Sequence, residues 1–85
     1  MKEDILNKYC VRTVGATQVV VDIGQVTKVA SRTVHVNWGA KTYVYQNREF
    51  NWVPLSKEEF EKKYKKNKFS EEAKARALEL GLESK

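Results

Sequence analysis

Cysteine, histidine, proline and methionine each occur only once in these 85 residues. A lone cysteine, Cys10, forms no internal disulfide, which excludes a disulfide-stapled secreted scaffold and makes a reducing compartment the expectation. A lone histidine, His35, has no second histidine with which to hold a metal, and zinc-type Cys-x-x-Cys spacing is absent. Glycine-rich phosphate loops and Gly-x-Ser-x-Gly elbows are missing too. No apolar run approaches the roughly 18–20 residues of a membrane span. Residues 1–8 hold nothing long enough for a secretory signal, so the expected location is the cytoplasm. None of these patterns calls for a metal, a cofactor, a membrane or a small-molecule substrate.

What is present suits a single small domain. The chain is 41% apolar and 32% charged, with 11% aromatics, which is too rich in aromatic and β-branched residues for disorder throughout. A chain this short buries only roughly 60–65% of its unfolded surface, so its core is small. The net charge of +5 favours polyanionic partners. That excess is spread along the chain except for one knot, Lys62, Lys63, Lys65, Lys66 and Lys68, with no acid among them.

Residues 24–55 carry the sharpest pattern. Between Thr33 and Trp38 the chain alternates strictly: Val34, Val36 and Trp38 fall on one face, Thr33, His35 and Asn37 on the other. A period of two is a strand, with the valine face toward the core. A turn at 39–41 leads into a partner strand at 42–46 that puts Tyr43 and Tyr45 on one face. Residues 47–49 turn again, and 50–55 read as a last extended segment with Phe50 and Trp52 opposite Val53 and Leu55. Pro54 cannot donate to a ladder and belongs at an edge or a strand end. Upstream, 9–15 and 19–23 read as strands. Gly24 then marks a bulge, a bend or a close backbone approach before the chain resumes at 25–30. Residues 1–8 are a polar lead-in, with Ile5 and Leu6 available to close one end of the core.

The character changes at Ser56. Ser56-Lys-Glu-Glu59 is a capping box, and a helix is expected from 57 to about 66 with Phe60 and Tyr64 as its apolar stripe. Ser70 opens a second helix ending near Leu80, with Gly81 just beyond its end. Ala73, Ala77 and Leu80, or Ala77, Leu78 and Leu82, form its thin apolar face.

Five short strands followed by two helices predict a mainly β, α+β domain: a small five-stranded antiparallel barrel over 9–55, then a helical extension over 56–85. Gly24-Gln-Val26, Val34-x-Val-x-Trp38, the short glycine turn, Tyr43-x-Tyr45 and the closing Val53-Pro-Leu55 resemble the Src-homology-3-like barrels of the KOW, Tudor and chromo-barrel type. The resemblance covers residues 9–55 at most. It implies that the Gly24–Val26 strand pairs with the Val34–Trp38 strand, and that Trp38, Tyr43, Tyr45 and Trp52 can wall a cage for a methylated ammonium. Filling the core of a small barrel accounts for the same aromatics.

For function, the residues favour a non-enzymatic binding module. The one nucleophile–base combination, Cys10 with His35, is outweighed by a buried cysteine and a solvent-facing strand histidine. Lys62, Lys63, Lys65, Lys66 and Lys68, with Arg32, Lys41 and Arg48 in or beside turns, are candidate phosphate contacts for nucleic acid, and Tyr43, Tyr45 and Trp52 are candidate interface aromatics. The helix lysines equally suit the dipole at a helix C-terminus. The alternative is a larger protein partner held by the same aromatics or by the second helix.

Overall fold

The computed structural model describes residues 2–82; Met1 of the lead-in and residues 83–85 of the expected helical extension lie outside the described residues. After a 3-10 turn at Lys2–Ile5, four strands follow: β1 (Tyr9–Val14), β2 (Val19–Val29), β3 (Thr33–Asn37) and β4 (Thr42–Gln46). They form one antiparallel sheet in the order β1-β2-β3-β4. Helices α1 (Lys57–Lys63) and α2 (Glu71–Leu80) complete an α+β fold that is mainly β.

The long β2 organises the sheet. Its first half pairs with β1 (Cys10 opposite Gly24, Val11 opposite Ile23) and its second half with β3 (Val26 opposite Val36). The pairing of the Gly24–Val26 segment with the Val34–Trp38 strand is therefore present. Two register shifts, one between Arg12 and Thr13 and one between Val26 and Lys28, bend the strand. Gly24 does not divide β2 into two pieces as the sequence suggests. It is buried within one continuous strand, and a Cβ there would lie 2.5 Å from Val36 Cγ1 and 2.8 Å from Trp38 Cε3. Of the three roles open to it, close backbone approach is the one observed, because Val36 and the Trp38 indole occupy the space that a side chain would need.

The bend lets each face of the sheet bury its own core. Val20 and Ile23 face α1 and α2 and pack with Phe60, Ala73, Ala77 and Leu82. Cys10, Val26, Val34 and Val36 face the other way, where Ile5, Trp38, Tyr45, Phe50 and Trp52 cover them. Ala73 and Ala77 are the buried residues of α2, and their small side chains let the helix approach β2 closely. Leu82 joins that core while Leu78 is 70% exposed, so the apolar face of α2 draws on both expected sets. Gly81, at φ +75°, ends α2: Leu82 N–H donates to Ala77 C=O (2.7 Å) and Gly81 N–H to Leu78 C=O (3.1 Å). This paired arrangement turns Leu82 back into the core.

Two differences from the sequence reading matter for the site. Residues 50–55 build no fifth strand; they contribute a single bridge, in which Tyr9 and Leu55 exchange two 2.8 Å hydrogen bonds. Phe50 and Trp52 turn into the aromatic core instead, so the segment follows side-chain packing and not a ladder. Helix α1 ends at Lys63, about a turn early, because the chain must double back. Val20 N–H donates to Lys68 C=O and Ser70 N–H to Val20 C=O, which lays residues 68–70 along the free edge of β2. Phe69 then meets the Phe60 ring at 6.1 Å.

Candidate binding face

The register of the β3–β4 hairpin decides where the tyrosines point. Val34 lies opposite Tyr45 and Val36 opposite Tyr43, so both tyrosines share the face of the buried valines. Tyr45 is half-buried and accepts a hydrogen bond from Trp38 Nε1 (2.9 Å). Tyr43, one pair nearer the hairpin turn, is 48% exposed. Trp52 arrives from the segment after β4 and packs on both neighbours, with ring centres 5.4 Å from Trp38 and 5.2 Å from Tyr45. Tyr43 stands 6.1 Å from Tyr45, edge to face, and Phe50 closes the far side at 5.6 Å from Trp52. These separations are within the range at which aromatic pairs attract beyond simple burial, by roughly 0.5–1.5 kcal/mol each.

These rings are both core and surface. Trp38, Tyr45, Phe50 and Trp52 cover Val26, Val34, Val36 and Cys10, while Trp38, Tyr43, Tyr45 and Trp52 wall an open cavity of about 460 Å³. The same four residues that the resemblance singled out for a cage therefore line one space. Arg12, Asp22, Ala40 and Lys41 complete it. Arg12 and Asp22 are cross-strand partners on β1 and β2, joined by Arg12 Nε donating to Asp22 Oδ2 (2.8 Å) and Arg12 Nη2 at 2.6 Å from the same oxygen. Both groups reach solvent, so this pair stabilises the fold by at most about 1 kcal/mol. The lining carries two cations against one anion, and Asp22 is paired with Arg12, which leaves Lys41 as the excess positive charge. Such a rim suits an anionic or π-faced ligand better than a bare ammonium.

The candidate cations do not form one patch. Lys62 and Lys63 occupy the last turn of α1, where they complement its dipole, and Lys63 Nζ also sits 5.6 Å from the Tyr64 ring centre. Lys65, Lys66 and Lys68 follow in the exposed turn that Asn67 ties to the β1–β2 connection, through Nδ2–H donation to Gln18 C=O (2.8 Å). Arg32 and Arg48 lie at the opposite end of β2, drawn together by Asn47 N–H donating to Arg32 C=O (3.0 Å). An eleven-residue strand separates the two groups by up to about 33 Å. Only Lys41 among the eight reaches the aromatic cavity.

Cys10 is fully buried, and burial pushes its thiol up to about 12. His35 lies on the opposite face of the sheet from the Cys10 side, since it alternates with the buried Val34 and Val36. The two do not form a nucleophile–base pair. Among the described residues no group of three or more His, Cys, Asp or Glu side chains is placed to hold a metal ion, and no helix is long and apolar enough to cross a membrane.

Two features of this region escape sequence reasoning. The Arg12–Asp22 pair depends on a bulged register that no local pattern reveals. Arg76, in the middle of α2, reaches the sheet: Nε–H donates to Ile23 C=O (3.0 Å) and Nη2–H to Asn37 C=O (2.7 Å). Its guanidinium fills the notch where β3 stops and the edge of β2 is left open, and it anchors α2 beside the β3–β4 turn. Gly39 in that turn lies 3.4 Å, measured from where its Cβ would be, from the Arg76 stem. No family model, curated protein or solved structure matches this chain.

Proposed function

We propose that the chain is a non-enzymatic binding module that holds single-stranded nucleic acid against the aromatic face of the sheet. The observation that supports this reading is the open cavity walled by Trp38, Tyr43, Tyr45 and Trp52 with Arg12 and Lys41 at its rim. Bases of any sequence stack on such rings, and adjacent cations engage the phosphates between them; one stacked base is worth about 1–3 kcal/mol. Tyr43 and Trp52 offer the ring faces, and Lys41 offers the nearest phosphate contact. Lys62, Lys63, Lys65, Lys66 and Lys68, and at the other end of β2 Arg32 and Arg48, are further candidate phosphate contacts outside the cavity. In the same reading the fold is of the Src-homology-3-like barrel type, with the Tyr9–Leu55 bridge standing where a fifth strand would pair, and the protein works in the cytoplasm.

Salt tests this directly. Log affinity for a single strand falls with log salt by roughly 0.7 per phosphate neutralised. Replacing Lys62, Lys65 and Lys66 by Gln flattens that slope by about 2, whereas Tyr43→Ala weakens binding at every salt concentration and leaves the slope intact. Absence of binding at low salt, or an affinity indifferent to salt, refutes the reading.

A protein partner is the second reading. It is favoured by the exposure of apolar side chains outside the cavity, Val53 at 81% and Leu78 at 70%. In a lysate pull-down this reading requires a specific partner that survives nuclease treatment and is lost with Tyr43→Ala, Tyr45→Ala or Leu78→Ser.

A further inference from the structure

Strand β4 ends the sheet, and which of its backbone groups are unused follows from the hairpin. Trp38 N–H donates to Lys41 C=O and Asn47 N–H to Arg32 C=O, so the pairs 38/41 and 32/47 are hydrogen-bonded. Alternation along an antiparallel ladder then makes Val36/Tyr43 and Val34/Tyr45 hydrogen-bonded as well. The N–H and C=O groups of Thr42, Val44 and Gln46 point the other way, off the open edge. Those of Gln46 are taken within the chain: its N–H donates to Glu49 Oε1 (3.2 Å) and its C=O accepts from Phe50 N–H (3.1 Å). Thr42 and Val44 keep two donors and two acceptors facing solvent.

Edge strands are ordinarily protected by a lysine, a proline or a bulge. The stretch Thr42-Tyr-Val-Tyr-Gln46 has no charge and no proline, and its pairing with β3 has no register shift. Its residues favour extended structure, and Tyr43 and Val44 are both exposed.

We propose that β4 pairs with β4 of a second copy of this chain, antiparallel, about a two-fold axis through Tyr43. In that register Thr42 lies opposite Val44 of the second copy, and Val44 opposite its Thr42. All the free donors and acceptors are used in four hydrogen bonds, and none already formed is broken. An axis through Val44 would set Thr42 against Gln46, whose groups are engaged, and would make only two bonds. The charges fit as well. Tyr43 meets Tyr43 on the aromatic face, and Lys41, the nearest charge, falls opposite Tyr45 of the second copy, where a cation meets a ring face and no like charge. The two aromatic cavities come to lie on one face of a continuous eight-stranded sheet.

An edge of this length buries less than the roughly 1,200 Å² of a stable interface, so the dimer is weak and forms at high concentration. Sedimentation equilibrium of the protein without nucleic acid is expected to give a mass that climbs from monomer toward dimer as the concentration approaches about 1 mM. Two variants, each adding one cysteine to the native Cys10, fix the register. The Tyr43 pair is the close, non-hydrogen-bonded kind, with Cα atoms about 4.5 Å apart, within disulfide reach. Tyr43→Cys should therefore oxidise to a covalent dimer. Val44→Cys, offset from its own copy by two residues, should stay monomeric, and buried Cys10 serves as an internal unreactive control. A monomer at every concentration, or faster cross-linking through position 44 than through 43, overturns the proposal. Neither result bears on nucleic-acid binding, which is measured on the dilute monomer.

Discussion

Replacing Arg76 by methionine keeps the apolar stem on the sheet and removes every donor. Two carbonyls, those of Ile23 and Asn37, then lose charged partners at 3.0 and 2.7 Å. A hydrogen bond from a charged group is worth about 1.5–3 kcal/mol. The Arg76 side chain is only 13% exposed, but the notch opens to water once the guanidinium is gone, so the two losses do not sum in full. We expect a cost of about 2–3 kcal/mol. A domain of this size has a total stability of only about 4–13 kcal/mol, so the change is large and lowers Tm by about 10–20 °C. Urea unfolding followed by circular dichroism measures it, and hydrogen exchange localises it, with amides of α2 losing protection first. The control is Glu79→Gln, which removes the 3.1 Å ion pair to Arg76 but leaves the sheet contacts; with Glu79 68% exposed, it should change stability by no more than about 0.5 kcal/mol. If Arg76→Met falls within that same margin, α2 is not held to the sheet through the edge carbonyls.

Three further outcomes follow from single contacts. Gly24→Ala drives a methyl into Val36 Cγ1 and the Trp38 ring, and the ring is held by Tyr45 and Trp52; unfolding should show a loss of about 2 kcal/mol with a shifted tryptophan emission, and an unchanged midpoint contradicts the close approach. Cys10, with its thiol pushed up to about 12 by burial, should resist a thiol reagent at neutral pH until the protein is unfolded, and rapid labelling of the native protein would show otherwise. The Glu59 carboxylate accepts from Ser56 N–H (2.8 Å), and its pKa is held below the usual carboxylate value chiefly by that backbone bond, with the Ser56 side chain next. A carboxylate lowered on folding adds stability above its unfolded value of about 4.3, and that contribution fades as pH falls through the folded value. The stability difference between the parent and Glu59→Gln should therefore shrink between about pH 5 and pH 3; a constant difference removes the cap from the account.

The elements that were legible in the sequence are those written in local signals. Strict alternation located β3 and put Trp38 with the valines, and Ser56 and Ser70 announced both helix starts because each cap is built from residues three apart. What could not be read depends on partners far along the chain. The continuity of β2 through Gly24 is set by an indole fourteen residues later, and the early end of α1 by the need to bring residues 68–70 onto Val20. Arg76 looks like any solvated helix cation until Ile23 and Asn37, distant in sequence, meet it in space. The candidate site was legible in its aromatics but not in its charges. Tyr43 and Tyr45 share the face of Trp38 as a two-residue period allows, and Trp52 joins them by packing, whereas the cations that look neighbourly in the chain divide between the two ends of β2. Residues 50–55 show the same conflict in small: alternation suggests a strand, but burying Phe50 and Trp52 against Tyr45 outweighs extending the ladder.

Trp38 and Trp52 are the only tryptophans in the chain, and both line the aromatic cavity, so intrinsic fluorescence reports on the proposed site itself. The decisive measurement is a titration of the dilute protein with a single-stranded oligonucleotide at about 50 mM and again at about 200 mM salt. Stacking of bases on this face predicts saturable quenching that weakens by more than about tenfold at the higher salt and that Lys41→Gln and Tyr43→Ala each diminish. Unchanged tryptophan emission at the lower salt, with oligonucleotide in excess, contradicts the account.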